Sequence, residues 1–323
     1  MMSRVAVLRF LVAALIVAGV AEGIARVAVA PGSEALRWHD YAVELKIDQM
    51  DALGSDPSLV VVGTSMAQQD LVPSVLSAQL NLVSVYNAGI NGGVPVVVEP
   101  WLLDQVMDRL NVSTVVWGLS ALDISAAYGQ ATESAYRSAL NTKDGASASV
   151  ERTAASFSAL VRNRTILREP SALAGVIANQ RLTDRGEAET NMGDRGERID
   201  FRRVVAPSRQ AEMRGRITPF VLDRDDLAAI ARTVDQLLAA GIAVVLVELP
   251  VPPRFTDLYR SGPAEHELVH ATVTALGAEL DVPVVSVAED FTNNDFVDFT
   301  HLGEAAARRF SLQTAEALAT LIE

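Results

Sequence analysis

Five short, valine-rich runs separated by helical patterns constrain this chain more than any other feature. Residues 59–62, 83–86, 114–117, 243–248 and 284–287 are each four to six residues long, rich in valine and largely apolar on both faces. A strand that is apolar on both faces needs cover on both, which suits a parallel sheet between helical layers. Helical candidates at 95–109, 225–240 (stopped by Gly241), 263–280 and 303–322 supply that cover. The alternation predicts an α/β fold: a three-layer α/β/α sandwich around a mostly parallel five-stranded sheet. With 323 residues, half of them hydrophobic, the chain can build one main domain.

Two stretches depart from this alternation. At the start, Arg4 and Arg9 precede an apolar stretch from Phe10 to Ala21, with Glu22 and Arg26 after it. The uninterrupted part is shorter than the ~20 residues of a full span, but Arg9 and Arg26 can snorkel and lengthen it. Residues 1–30 are therefore expected to form an uncleaved N-terminal transmembrane helix. Basic residues on the short side predict that end inside and residues 31–323 outside the cytoplasmic membrane. The alternatives are secretion after cleavage at Ala28-Val29-Ala30 and an amphipathic helix buried in a soluble protein. The second departure spans about 129–220, which carries no convincing strand. Between Arg181 and Arg216 it mixes nine arginines with seven acids, as a polar insertion does, serving either as a lid or as solvated decoration.

Composition excludes several chemistries. The net charge of −13, with no basic run longer than a pair such as Arg202-Arg203, leaves no footprint for a nucleic-acid backbone. With no cysteine in the chain, disulfides, thiolate metal sites and a cysteine nucleophile are ruled out.

The first strand run stops at Gly63-Thr64-Ser65, setting a hydroxyl where a buried strand meets solvent. In an open parallel sheet, ligands bind beyond the carboxyl ends of the strands, so Ser65 is a candidate nucleophile; equally, Thr64 or Ser65 is simply a helix cap. A serine nucleophile needs a base and an acid to orient that base. Of the four histidines (His39, His266, His270 and His301), His301 follows Asp298 by three residues. It lies near the start of a predicted helix with Thr300 as its cap.

Taken in order, "VVVGTS", "YNAGINGG", "VVWGLSALD" and "DFTH" resemble the four sequence blocks of the SGNH (GDSL-like) hydrolase superfamily. That resemblance implies a flavodoxin-like sheet with Ser65 as nucleophile, His301 as general base and Asp298 as orienting acid. It implies an oxyanion hole from the amides of Ser65 and Gly92. Ser120 stands where the family carries an asparagine donor, a weaker replacement. The activity implied is that of an esterase or O-acyltransferase on ester-linked acyl groups of cell-envelope glycans or related small molecules. No metal or organic cofactor is implied.

Two rival motifs compete. "GTSMA" falls short of Gly-x-Ser-x-Gly because Ala67 replaces the second glycine, and only one strand precedes Ser65. "HELVH", residues 266–270, matches the zinc-peptidase text, with His266 and His270 as ligands, Glu267 as base and Glu279, Glu289 or a distant residue as third ligand. Its helix, however, reads as a connector with core residues Val269, Val273, Leu276 and Leu280. A zinc peptidase, and an SGNH-fold envelope protein that binds without catalysing, remain the alternatives.

Overall fold

The computed structural model describes residues 16–23, 26, 41–53, 58–82, 84–129, 158, 160, 190–287 and 290–321. It divides into two compact units, 1–44 with 138–189 and 45–137 with 190–323. In the first, residues 16–23 are helical, and Glu22 accepts hydrogen bonds from Arg26 Nε at 2.8 Å and Ser158 Oγ at 2.7 Å. Among the described residues no helix is long and apolar enough to cross a membrane. The rest of the predicted 1–30 anchor lies outside the described residues, as do nearly all of residues 130–189 of the predicted insertion.

The second unit carries the sheet. Its strands β1 (Leu59–Val62), β2 (Val85–Asn87), β3 (Thr114–Leu119), β4 (Ala243–Glu248) and β5 (Val284–Ser286) are all parallel, in the order β2-β1-β3-β4-β5. Every residue of β1 and β3 is buried, as two-sided apolar runs require. Register pairs Leu59 with Val85 on one side and with Thr114 on the other.

Helices cover both faces. From the end of α1 (Tyr41–Leu53) the chain passes through β1 to α2 (Ser65–Asp70) and α3 (Pro73–Leu80); α9 (Glu304–Ala319) packs against both of these. Helix α4 (Pro95–Trp101) packs against α6 (Arg224–Ala239). The predicted helix 95–109 is interrupted. Pro100 inside α4 has no N–H to donate, and the chain continues as a π-helical turn over Leu102–Val106. α6 is capped by Asp223, whose carboxylate accepts the amides of Asp225 and Asp226, and Gly241 follows its end at φ +78°.

After β4 come α7 (Pro253–Thr256) and α8 (Pro263–Glu279), the latter packed against β4 and β5. Val269, Val273 and Leu276 form the buried stripe of α8, with Leu280 half-buried just past its end. In the described part of the insertion, α5 (Pro207–Ile217) is the one full helix, and the pairing there consists of isolated bridges such as Met192 with Arg198.

The strand order locates the site. The chain leaves β1 toward β2 on one side and returns past β1 to β3 on the other. The loops after β1 and β3 therefore diverge and open a crevice at the carboxyl edge.

Candidate active site

Ser65 is the first residue of α2, separated from the end of β1 by Gly63 and Thr64. The turn between them is glycine-dependent. Gly63 has φ +134°, and a Cβ there would lie 2.5 Å from the carbonyl oxygen of Gly118 at the end of β3 and 2.9 Å from Ala67 Cβ. A Cβ on Gly118 would likewise meet Ala67 at 2.8 Å. The small side chain of Ala67, beside two glycines, lets α2 press onto the sheet edge. The capping expectation for this stretch is corrected here, because the Thr64 side chain makes no cap hydrogen bond and its Oγ1 is buried without a partner among the described residues.

All six residues of α2 are buried, including three long polar ones. Asn87, the last residue of β2, satisfies much of the helix: its Nδ2 donates to Ala67 O at 2.9 Å and Leu71 O at 2.8 Å. Its Oδ1 accepts the Gly89 amide at 2.9 Å, which stabilises the turn after β2.

His301 does not stand at a helix start. α9 begins at Glu304 with Gly303 in the cap position, and Asp298–His301 lies in a tight turn closed by Val297 N–H to His301 O at 2.9 Å. Thr300 is therefore not a helix cap. Its amide, and that of His301, each donate to Asp298 Oδ1 at 2.8 Å. Asp298 Oδ2 meets His301 Nδ1 at 2.8 Å, and His301 Nε2 meets Ser65 Oγ at 2.9 Å. Three side chains 236 positions apart in sequence, at most, form one line of hydrogen bonds. Burial works to raise the Asp298 carboxyl, but the hydrogen bond and charge of His301 and the two turn amides outweigh it and hold Asp298 well below the usual carboxylate range. An anionic Asp298 fixes Nδ1 as the protonated nitrogen and leaves Nε2 to accept from Ser65.

Arg254, in α7 after β4, braces the turn. Its guanidinium donates to the Asp298 carbonyl and, at 3.2 Å, to Asn293 O, and it stacks 5.2 Å from the Phe299 ring centroid. In the sequence alone Arg254 reads as a solvated side chain or a contact for an anionic substrate group; in the structure it shapes the turn.

The remaining expected site residues divide. Gly92, at φ +67°, belongs to a turn held against the Ser65 loop by Ile90 N–H to Gly63 O at 3.0 Å. Among the described residues the amides of Ser65 and Gly92 donate to no acceptor. Ser120 is engaged elsewhere: its hydroxyl donates to Asp123 Oδ2 at 2.6 Å and its amide donates to the same oxygen at 2.8 Å. The side chain expected as a third oxyanion donor is thus turned into the protein. Asp123, absent from the sequence reading, is fully buried. Burial pushes its carboxyl up to about 7, against the pull of the Ser120 bonds.

Residues 190–205 run along the same edge. Asn87 N–H donates to Arg195 O at 2.8 Å, Arg198 N–H to Gln68 O at 3.0 Å and Val204 N–H to Val297 O at 2.7 Å. Ile199, Val204 and Val205 remain exposed on this strap. Trp101 and Trp117 are wholly buried core residues.

The HELVH helix carries the text of a zinc site without its geometry. His270 turns Nδ1 to Glu248 Oε2 at 2.7 Å, while Glu267 and Glu279 are exposed. Glu289 lies outside the described residues. Among the described residues no group of three His, Cys, Asp or Glu could hold a metal ion.

No protein-family model matches the chain, and no curated protein does. Solved structures similar to it include a GDSL-like lipase from Bacteroides thetaiotaomicron, at 9% identity and TM-score 0.43, covering 88% of this chain and 100% of that one. An inhibitor-bound aryl esterase from M. smegmatis is 15% identical at TM-score 0.38, over 81% and 98% of the two chains. A carbohydrate acetylesterase from Sinorhizobium meliloti is 13% identical at TM-score 0.38, over 82% and 99%.

Proposed function

We propose that this chain is a serine esterase or O-acyltransferase of the SGNH type. The observation that carries the reading is the unbroken line from Asp298 through His301 to Ser65, with 2.8 and 2.9 Å contacts. Such a line performs acyl transfer. Ser65 Oγ attacks an ester carbonyl while His301 Nε2 takes its proton, and Asp298 stabilises the imidazolium that forms. The amides of Ser65 and Gly92 would receive the developing oxyanion. Collapse of the tetrahedral intermediate expels the alcohol, which recovers the proton from His301. Water or an acceptor hydroxyl then attacks the acyl-Ser65 ester, with His301 again as base.

The substrate class we favour is an acylated glycan or related small molecule of the cell envelope, with the catalytic unit held outside the cytoplasmic membrane by residues 1–30. That placement rests on the basic-then-apolar pattern of the N-terminus. With Ser120 engaged by Asp123, oxyanion stabilisation falls to main-chain donors, which supports a specialised substrate over broad, fast hydrolysis.

A serine-reactive fluorophosphonate tests the reading directly. It is expected to label the wild-type chain, and Ser65→Ala is expected to abolish the label. A wild-type chain that stays unlabelled, or a mutant that labels equally, would overturn the reading.

A further inference from the structure

Ser65 and Gln69 lie four positions apart on α2 and so share one face of it. On that face Ser65 Oγ meets the side chain of His301, and Gln69 Nε2 donates to the backbone carbonyl of the next residue, Leu302, at 2.7 Å. Asp70 completes the pattern: its Oδ1 accepts the Leu302 amide at 2.9 Å. The helix thus holds both backbone polar groups of one residue, and that residue follows the imidazole in sequence. The far end of the grip is anchored too, since Ser311 Oγ on α9 accepts the Val72 amide at 2.8 Å and lies 3.0 Å from Asp70 O.

From this geometry we infer that Gln69 and Asp70 are positioning residues for the proton transfer, fixing the His301 ring at hydrogen-bond distance from the Ser65 hydroxyl.

Both side chains are wholly buried, and each leaves one oxygen, Gln69 Oε1 and Asp70 Oδ2, without a partner among the described residues. Buried unpaired oxygens are costly. An apolar pair would fill the same space without that cost, but it could not hold Leu302. Burial pushes the Asp70 carboxyl well up, and the nearby Asp298 charge adds to it against the pull of the Leu302 amide and of Arg198. Toward Leu302 Asp70 acts as an acceptor, a task an asparagine Oδ1 can also perform.

The inference rests on the serine-hydrolase reading, and one experiment separates the two. Fluorophosphonate labelling of the full chain is followed as a saturable rate, giving an inactivation constant and an apparent inhibitor affinity, alongside thermal melting. Well below their melting temperatures, Gln69→Leu and Asp70→Leu are expected to slow inactivation roughly ten- to a hundredfold with little change in inhibitor affinity. Asp70→Asn is expected to stay within about twofold of wild type, because it keeps an acceptor for the Leu302 amide. Should Asp70→Leu fail to fold, Gln69→Leu, which removes only the bond to the Leu302 carbonyl, carries the test. Leucine variants that melt lower yet label at the wild-type rate would overturn the inference, and so would Asp70→Asn labelling as slowly as Asp70→Leu. Wild-type labelling that depends on Ser65 but is indifferent to residues 69 and 70 sinks the grip alone. Absence of Ser65-dependent labelling sinks both readings.

Discussion

His301 and His270 each turn Nδ1 to a carboxylate at nearly the same distance, 2.8 Å to Asp298 and 2.7 Å to Glu248. What differs is the other ring nitrogen and the surroundings. His301 is 12% exposed and its Nε2 meets Ser65, whereas His270 is 55% exposed on the outer face of α8. The other partner of Glu248 is the Ser286 hydroxyl, at 2.8 Å, so the carboxylate there stands between serine and histidine and the imidazole has no hydroxyl to deprotonate. A histidine–carboxylate pair is therefore cheap to form on a surface. Its order relative to a hydroxyl, and its burial at the strand ends, give it chemistry.

Removal of each imidazole breaks the comparison most sharply. His301→Ala is expected to slow both ester turnover and fluorophosphonate labelling by about a thousandfold or more. His270→Ala is expected to leave both within about twofold, and dialysis against a chelator should change neither. A larger loss at His270 would revive the zinc reading. One step down, Asp298→Asn should cost on the order of a hundred- to ten-thousandfold in kcat, because the amide no longer enforces the Nδ1–H tautomer. Glu248→Gln, the matching change at the outer pair, should have no measurable effect on kcat.

Two glycines extend the contrast to stability. Gly63→Ala places a methyl against the Gly118 carbonyl at a strained φ and is expected to destabilise the fold by roughly 2–4 kcal/mol in denaturant melts. Gly241 has a comparable left-handed φ of +78° but open space around its Cβ position, so Gly241→Ala should cost only about 1 kcal/mol, the backbone term alone.

Much of this was legible in the sequence. Runs of valine fix the strands because only a doubly covered sheet can bury both of their faces; β1 and β4 begin and end where the apolar runs do. The Asp298–His301 pairing was legible because three residues is one turn's reach. Gln69, Asp70 and Asp123 were not, since a short polar stretch such as "AQQD" reads as a solvated surface until the loops that bury it are in place. The one available signal was helical register, with residue 69 four positions after residue 65. Ser120 misled for the same reason: the family resemblance implied a donor aimed at substrate, and the carboxyl that accepts its hydrogen bond lies three residues on.

That carboxyl supplies a smaller test. Asp123 keeps its proton in the folded state up to about pH 7, whereas the unfolded chain loses it near the ordinary carboxylate value. The native state then binds more protons, and stability falls as pH rises between roughly 4 and 7. Asp123→Asn removes this titration, so the melting temperature of the variant relative to wild type is expected to climb from pH 5 to pH 8. A difference that stays flat would show that Asp123 ionises alike in both states. Smallest of all, removing the exposed His270–Glu248 pair should move stability by about 0–1 kcal/mol.

The span from Ser65 to His301 has a consequence for synthesis. On the serine-hydrolase reading, the hydroxyl leaves the ribosome long before its base exists, and β5 and α7 also precede the imidazole. Throughout elongation Ser65 is an ordinary alcohol, and a nascent chain arrested anywhere short of residue 301 carries a nucleophile that nothing deprotonates. On the proposed reading, acyl transfer becomes possible only after residue 301 has been made, when α9 closes over α2 and α3.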